Sequence, residues 1–176
     1  MRFELTRHPD RPSAISGVRA EVLRTGTGAL SLRYEMDDPA GVLVPPPAGV
    51  SGRTDGLWRR TCFEAFVRCP GGDGYYELNL SPSGQWAAYR FDGYRAGMAA
   101  AEAVTTVAIA AARTPGRFEL VGAMELSGLA DLAAGPWRLA LAAVIEDAGG
   151  LSYWALAHPP GEADFHHAAG FVAEVG

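Results

Sequence analysis

The chain has 176 residues, 48% of them hydrophobic and 20% charged, with a formal net charge of −5. This is the make-up of one globular domain with room for a substantial core. The acid excess argues against nucleic acid or an anionic membrane as the main partner. All 15 basic residues are arginine and none is lysine, a bias of composition and not a functional signal. No stretch approaches the roughly 18 apolar residues that a membrane-crossing helix needs. Met1–Pro9 lacks the apolar run of a signal peptide, so the expected location is cytoplasmic.

In chain order, alternating polar and apolar residues predict strands at Phe3–Arg7, Val18–Arg24 and Ala29–Glu35, with a hairpin turn at Gly26-Thr27-Gly28. Gly41–Asp55, which contains Pro45-Pro46-Pro47, reads as a long irregular connection of polyproline character. Three strands follow at Arg60–Arg68, Tyr75–Leu80 and Gln85–Phe91, joined by the loop Pro70–Gly74 and the tight turn Pro82-Ser83-Gly84. Tyr94–Val104 is a helical turn or a loop, and Ser127–Ala134 a short helix capped by Ser127. Further strands are expected at Thr105–Ala112, Phe118–Leu126, Trp137–Glu146, Ser152–Ala157 and Phe171–Val175, with a turn at Asp147–Gly150. The sum is all-β: a single domain over residues 1–176, an antiparallel β-sandwich or barrel of about ten strands with a few short helical turns.

Cys62 and Cys69 lie seven positions apart along or just past one strand, on opposite faces and out of disulfide reach. Free thiols are expected, which suits a reducing compartment.

Strand parity sorts the central segment into two faces. Phe63, Ala65, Val67, Tyr76, Leu78, Leu80, Ala87, Tyr89 and Phe91 are expected in the core. The other face then gathers Glu64, Arg68, Tyr75, Glu77, Asn79, Trp86 and Arg90. Rings interleaved with carboxylate, amide and guanidinium groups suit a small-molecule site, although a solvated sheet face is the plain alternative. Trp137 belongs in the core with Leu139, Leu141, Ala143 and Ile145. Ala140 and Ala142 leave space on the opposite face, which Trp154 could border; Trp154 and Trp58 fit core or ligand roles equally.

His166 and His167, close to Asp164, form an incomplete metal set, so no metal is expected and one histidine should lock the closing strand. His8 and His158 each precede a proline and read as loop residues. Met98, Met124, His158, His166 and His167 show no spacing that pairs them as haem ligands. Ser81-Pro82-Ser83-Gly84 is not a nucleophile elbow.

Taken together, Leu57–Phe66, Tyr76–Trp86, Arg90–Arg95 and Asp164-Phe165-His166-His167 resemble the bacterial DOMON-like proteins, whose superfamily resembles carbohydrate-binding module family nine. The resemblance implies an immunoglobulin-like or jelly-roll sandwich that binds sugar or haem. It implies aromatic rings clamping a sugar while charged and amide groups bond its hydroxyls. The expected function is non-catalytic binding of a sugar or sugar-derived metabolite, without a cofactor. The expected ligand residues are Trp58, Arg60, Glu64, Tyr75, Glu77, Asn79, Trp86, Arg90 and Trp154. A b-type haem domain and an accessory module docking a partner protein are the alternatives. A hydrolase using Glu64 and Glu77 as paired carboxylates is the weakest reading.

Overall fold

A computed structural model describes residues 1–26, 28–68, 71–132 and 135–176. Its strands are β1 (Arg2–Arg7), β2 (Gly17–Thr25), β3 (Ala29–Asp38), β4 (Gly52–Arg53), β5 (Cys62–Arg68), β6 (Tyr75–Leu80), β7 (Gln85–Phe91), β8 (Ala99–Ala100), β9 (Val107–Thr114), β10 (Gly116–Glu125), β11 (Trp137–Asp147), β12 (Gly150–Ala155) and β13 (Ala173–Val175). Every stretch whose alternation predicted a strand contains one. β4 and β8 were not foreseen, because two residues are too few to carry a period. Helix is confined, among the described residues, to 3-10 turns at Leu57–Arg59, Ala130–Leu132 and Ala168–Gly170. Ser127 does not cap the second of these: its N–H instead meets Glu125 Oε1 at 3.0 Å.

The sheet runs β4-β7-β6-β5-β11-β12-β1-β2-β3-β10-β9, with β13 beside β11 and β8 beside β7. Its pairs are antiparallel except β4 with β7. β1 joins the two halves: Arg2–Leu5 pair with β2, while Thr6 and Arg7 pair with β12. The expected sandwich of two separate sheets is therefore corrected to one sheet that curls over itself, nearly closed and barrel-like. At one free edge the Arg53 guanidinium lies 4.7 Å from the Trp86 ring and donates to the carbonyls of Ala88, Ala101 and Val104.

Within the curl lies the main core. β2, β3 and β10 alternate buried and more open positions, as strands with one wet face do. Phe63 stands at the centre, with Tyr34 at 5.0 Å and Phe118 stacked at 5.9 Å. Gly122 lets the halves approach, since a Cβ there would meet Leu80 Cδ1 at 2.5 Å. β5 and β6 differ from the outer strands in being buried on both faces. Their second face forms another apolar cluster of Phe66, Tyr75, Ala87, Tyr89, Phe91, Ala140, Ala142 and Phe171. The C-terminal segment covers it.

Truncating Phe63 would empty the midpoint of the main core. Phe63→Ala is expected to cost about 3–5 kcal/mol. Urea denaturation should show a lower midpoint at an unchanged slope.

Candidate functional site

The second face of β5 and β6 is where the polar groups are buried. Antiparallel register sets Glu64 beside Asn79 and Phe66 beside Glu77, while β11 places Ala142 next to Glu64. Glu64 is 3% exposed, Glu77 5% and Asn79 0%. The Asn79 amide donates to Glu77 Oε1 at 2.8 Å. Glu64 Oε1 and Asn79 Oδ1 are buried without a hydrogen-bond partner. Backbone geometry fixes this floor, since each of the three side chains leaves a laddered strand.

Above it opens a cavity of about 710 Å³. Glu64, Glu77, Phe91 and Val144 reach it from the sheet; His8, Asp10 and Arg11 reach it from the loop after β1. Tyr153 of β12 flanks it, and Glu162, Ala163, Phe165 and His166 come from the segment before β13. Trp58, Arg95 and Met98 complete the lining. Trp58 is 37% exposed on its 3-10 turn, edge-on to Tyr89 at 6.1 Å. Tyr89 is in turn held by a 2.8 Å hydrogen bond from its hydroxyl to Asp55 Oδ1. An aromatic ring half open to solvent beside buried acceptors is the composition of a small-molecule site.

The wall opposite is clasped from three directions. The Tyr75 hydroxyl accepts the Arg95 backbone N–H at 3.2 Å and lies 2.8 Å from His166 Nδ1. The direction of that bond follows the imidazole tautomer, and the other ring nitrogen is Nε2. That nitrogen points toward Glu77 Oε2 at 3.8 Å, too far for a hydrogen bond. The Arg95 guanidinium meets Asp164 Oδ1 at 2.7 Å, and the Tyr94 hydroxyl meets Asp164 Oδ2 at 2.5 Å. Arg95 has φ 51°, the one positive φ outside glycine among the described residues. Left-handed backbone at such a residue costs about 1–3 kcal/mol and persists where its surroundings fix it; here the Tyr75 and Asp164 contacts do so.

Burial dominates the electrostatics. It drives the Glu64 carboxyl well above the usual carboxylate range, and the nearby Glu77 adds to the rise. Burial also lifts Glu77 to about 7, against the opposing effects of the Asn79 hydrogen bond and Arg95. Two carboxylates this close cannot both ionise freely without a cation between them. His166 moves the other way, down to about 4, because burial and then Arg95 disfavour its charged form. Near neutrality the imidazole is uncharged and supplies no counterion to the floor. Burial and the neighbouring carboxylates also hold the Cys62 thiol protonated. Cys62 is a free, buried cysteine; Cys69 lies outside the described residues.

Of the residues expected from sequence, Trp58, Glu64 and Glu77 line the cavity, with Asn79 and Tyr75 directly supporting it. Trp86, Arg90, Arg60 and Trp154 lie elsewhere. The parity assigned to β7 is inverted: Glu77 pairs with Tyr89 and Leu80 with Trp86. Ala87, Tyr89 and Phe91 thus share the face of Glu77, while Trp86 sits in the main core. Arg90 points out beside Asp92 and Asp131. Arg60 pairs with Glu146 at 3.7 Å. Trp154, across from Ala143, is in the main core, and Tyr153 holds the bordering position instead. His8, read as a loop residue, is buried with Nε2 3.0 Å from the Gly161 carbonyl. Of the two histidines, one of which was expected to lock the closing strand, His166 bonds Tyr75 and also lines the cavity. Missed altogether were Asp10, Arg11, Arg95, Tyr153, Glu162 and Phe165; only the Arg95 and Phe165 neighbourhoods fell within motifs noted in the sequence.

No family model matches the sequence, and neither does any curated protein. Among solved structures, the chain is similar to a candidate carbohydrate-binding protein from Bacteroides uniformis, with TM-score 0.73 at 19% identity over 97% of this chain and 84% of that one. It is also similar to a family 9 carbohydrate-binding module from Caldicellulosiruptor kristjanssonii in complex with glucose. That match has TM-score 0.51 at 10% identity, over 86% of this chain and 72% of the module. At these identities the likeness is one of fold, and the fold is like that of the family 9 modules. It does not extend to the DOMON-like assignment.

The opposed shifts at Glu77 and His166 give a signed pH dependence. A carboxyl raised from 4.5 to about 7 costs the fold stability as pH climbs through that window. A histidine lowered from 6.5 to about 4 costs stability as pH falls through its own window. Glu77→Gln removes the first penalty while keeping a group that Asn79 can bond. The variant should gain in melting temperature over the parent at about pH 8 and gain less at about pH 5. Thermal denaturation at the two pH values checks this.

Proposed function

We propose that the chain binds a small carbohydrate or sugar-derived metabolite in this cavity without transforming it. The observation that carries the reading is the pairing of an open aromatic ring, Trp58, with buried, underused acceptors on Glu64 and Asn79. A sugar offers hydroxyl donors around its rim and C–H faces that pack on rings, so it complements both. The cavity's 710 Å³ lies in the range of small-molecule sites. The likeness in fold to a carbohydrate-binding module that holds glucose supports the same reading.

Each group has a task in that binding. Trp58 and Phe91 supply apolar faces, and the Glu77 and Glu64 carboxyls exchange hydrogen bonds with sugar hydroxyls from below, Glu64 donating its retained proton as well as accepting. Arg95, already turned by its backbone and held by Asp164, can donate to a ring or hydroxyl oxygen at the rim. Binding is favoured because acceptors left without donors in the empty site gain partners, and an unmet buried polar group is costly.

A thermal-shift screen with neutral mono- and disaccharides tests the reading. A ligand held at about 100 times its Kd stabilises the native state by about 2.7 kcal/mol, so even millimolar binding registers. Trp58→Ala should weaken the bound sugar by about tenfold or more in calorimetry. A panel without any shift, or a shift that Trp58→Ala leaves intact, refutes the assignment.

A further inference from the structure

The floor of the cavity is unbalanced in two ways that a neutral sugar answers only in part. First, its two unpartnered side-chain atoms, Glu64 Oε1 and Asn79 Oδ1, are both oxygens, and once Glu64 gives up its proton both are acceptors. Second, the side chains in reach leave the carboxyl pair without a counterion. From β5 itself comes the Cys62 thiol, and from β6 comes Asn79, whose amide is bonded to Glu77. β7 contributes Tyr89, its hydroxyl committed to Asp55, and β11 contributes Ala142. The C-terminal segment presents His166, whose Nδ1 is engaged by Tyr75 and whose Nε2 stops 3.8 Å short of Glu77. Arg95 stands at the rim with its guanidinium on Asp164. Around the lining the acids Asp10, Glu64, Glu77 and Glu162 face only two arginines, Arg11 and Arg95.

Resting on the sugar-binding reading, we infer that the ligand is an amino sugar whose protonated amine sits between Glu64 and Glu77. An ammonium brings three donors and a full charge to a place with spare acceptors and excess carboxylate. A hydroxyl brings one donor and no charge. Hydrogen bonds to a charged partner are also the stronger kind, above all in a site removed from water. The raised proton affinity of both carboxyls fits, because the empty site holds protons where the amine would bind. Amine binding then releases protons from the pair, and a neutral sugar has no cause to do so.

Calorimetry on the intact protein with D-glucose, D-glucosamine and N-acetyl-D-glucosamine separates charge from shape, and needs no variant. Glucosamine should bind about tenfold or more tightly than either neutral sugar near pH 7. Its advantage should shrink as pH drops to about 5, where Glu77 holds its proton, and the heat should reveal proton release when buffers of different ionisation enthalpy are compared. Glu77→Gln should bring the glucosamine-to-glucose ratio close to one. Glucose binding as tightly as glucosamine would overturn the amine inference and leave the sugar reading standing. So would N-acetylglucosamine matching glucosamine, or an amine advantage that persists unchanged to low pH. If none of the three sugars, nor any of the neutral panel above, binds, both readings fall together.

Discussion

Glu64, Glu77 and Asn79 stand on strands that are buried on both faces, and most of what distinguishes this molecule follows from that. Antiparallel strands with one wet face place charged residues outward at little expense. β5 and β6 have no wet face to use. Their even and odd positions alternate between the main core and a second cluster, so the carboxylates at 64 and 77 lose water whichever way the strands face. Removing a carboxylate from water without a full set of partners is costly, and the usual response is to retain a proton. The unbonded oxygen on Glu64, the raised proton affinity of the pair and the neutral His166 above them all stem from this double burial.

The second cluster also explains what could be read from the sequence and what could not. Apart from the two-residue β4 and β8, strand positions were legible because each has either alternation or a compact apolar run between turn residues. Which way β7 faced was not. Its odd positions, Ala87, Tyr89 and Phe91, look like core, and they are buried, but in the second cluster instead of the first. Hydrophobicity orients a strand only when one side is wet; here the register across the Pro82-Ser83-Gly84 turn decides. The error over Trp86 and Arg90 follows directly, and so does the swap of Tyr153 for Trp154. Glu64 and Glu77 escaped it because on β5 and β6 a carboxylate alternates with obvious core residues. The rest of the cavity comes from loops, where a sequence carries no period. Nothing local marks Asp10, Arg11 or Glu162 as neighbours of a strand more than 50 positions away.

The single-sheet topology matters for the site as well as for the core. Because β1 pairs with β2 at one end and β12 at the other, the loop that leaves β1 emerges beside Tyr153 and the C-terminal segment. His8 bonds the Gly161 carbonyl and lies edge-on to His158 at 4.9 Å, which ties the two ends of the chain together over the cavity. The corner that curls the sheet thus also delivers part of the wall.

The segment from Gly161 to His167 belongs to no strand, yet it supplies four of the cavity's lining residues. Hydrogen bonds tie it to His8 at one end, then to Arg95 with Tyr94 and finally to Tyr75, while Phe165 and His166 pack their rings on Tyr153, Phe66 and Phe91. Glu162 and Ala163 make none of these attachments, so mutation can alter them without disturbing a ladder or a core contact. The floor is different, since any change at Glu64, Glu77 or Asn79 is felt through two packed faces. Substitution is therefore expected to cost the fold more on the floor of the cavity than on its outer wall.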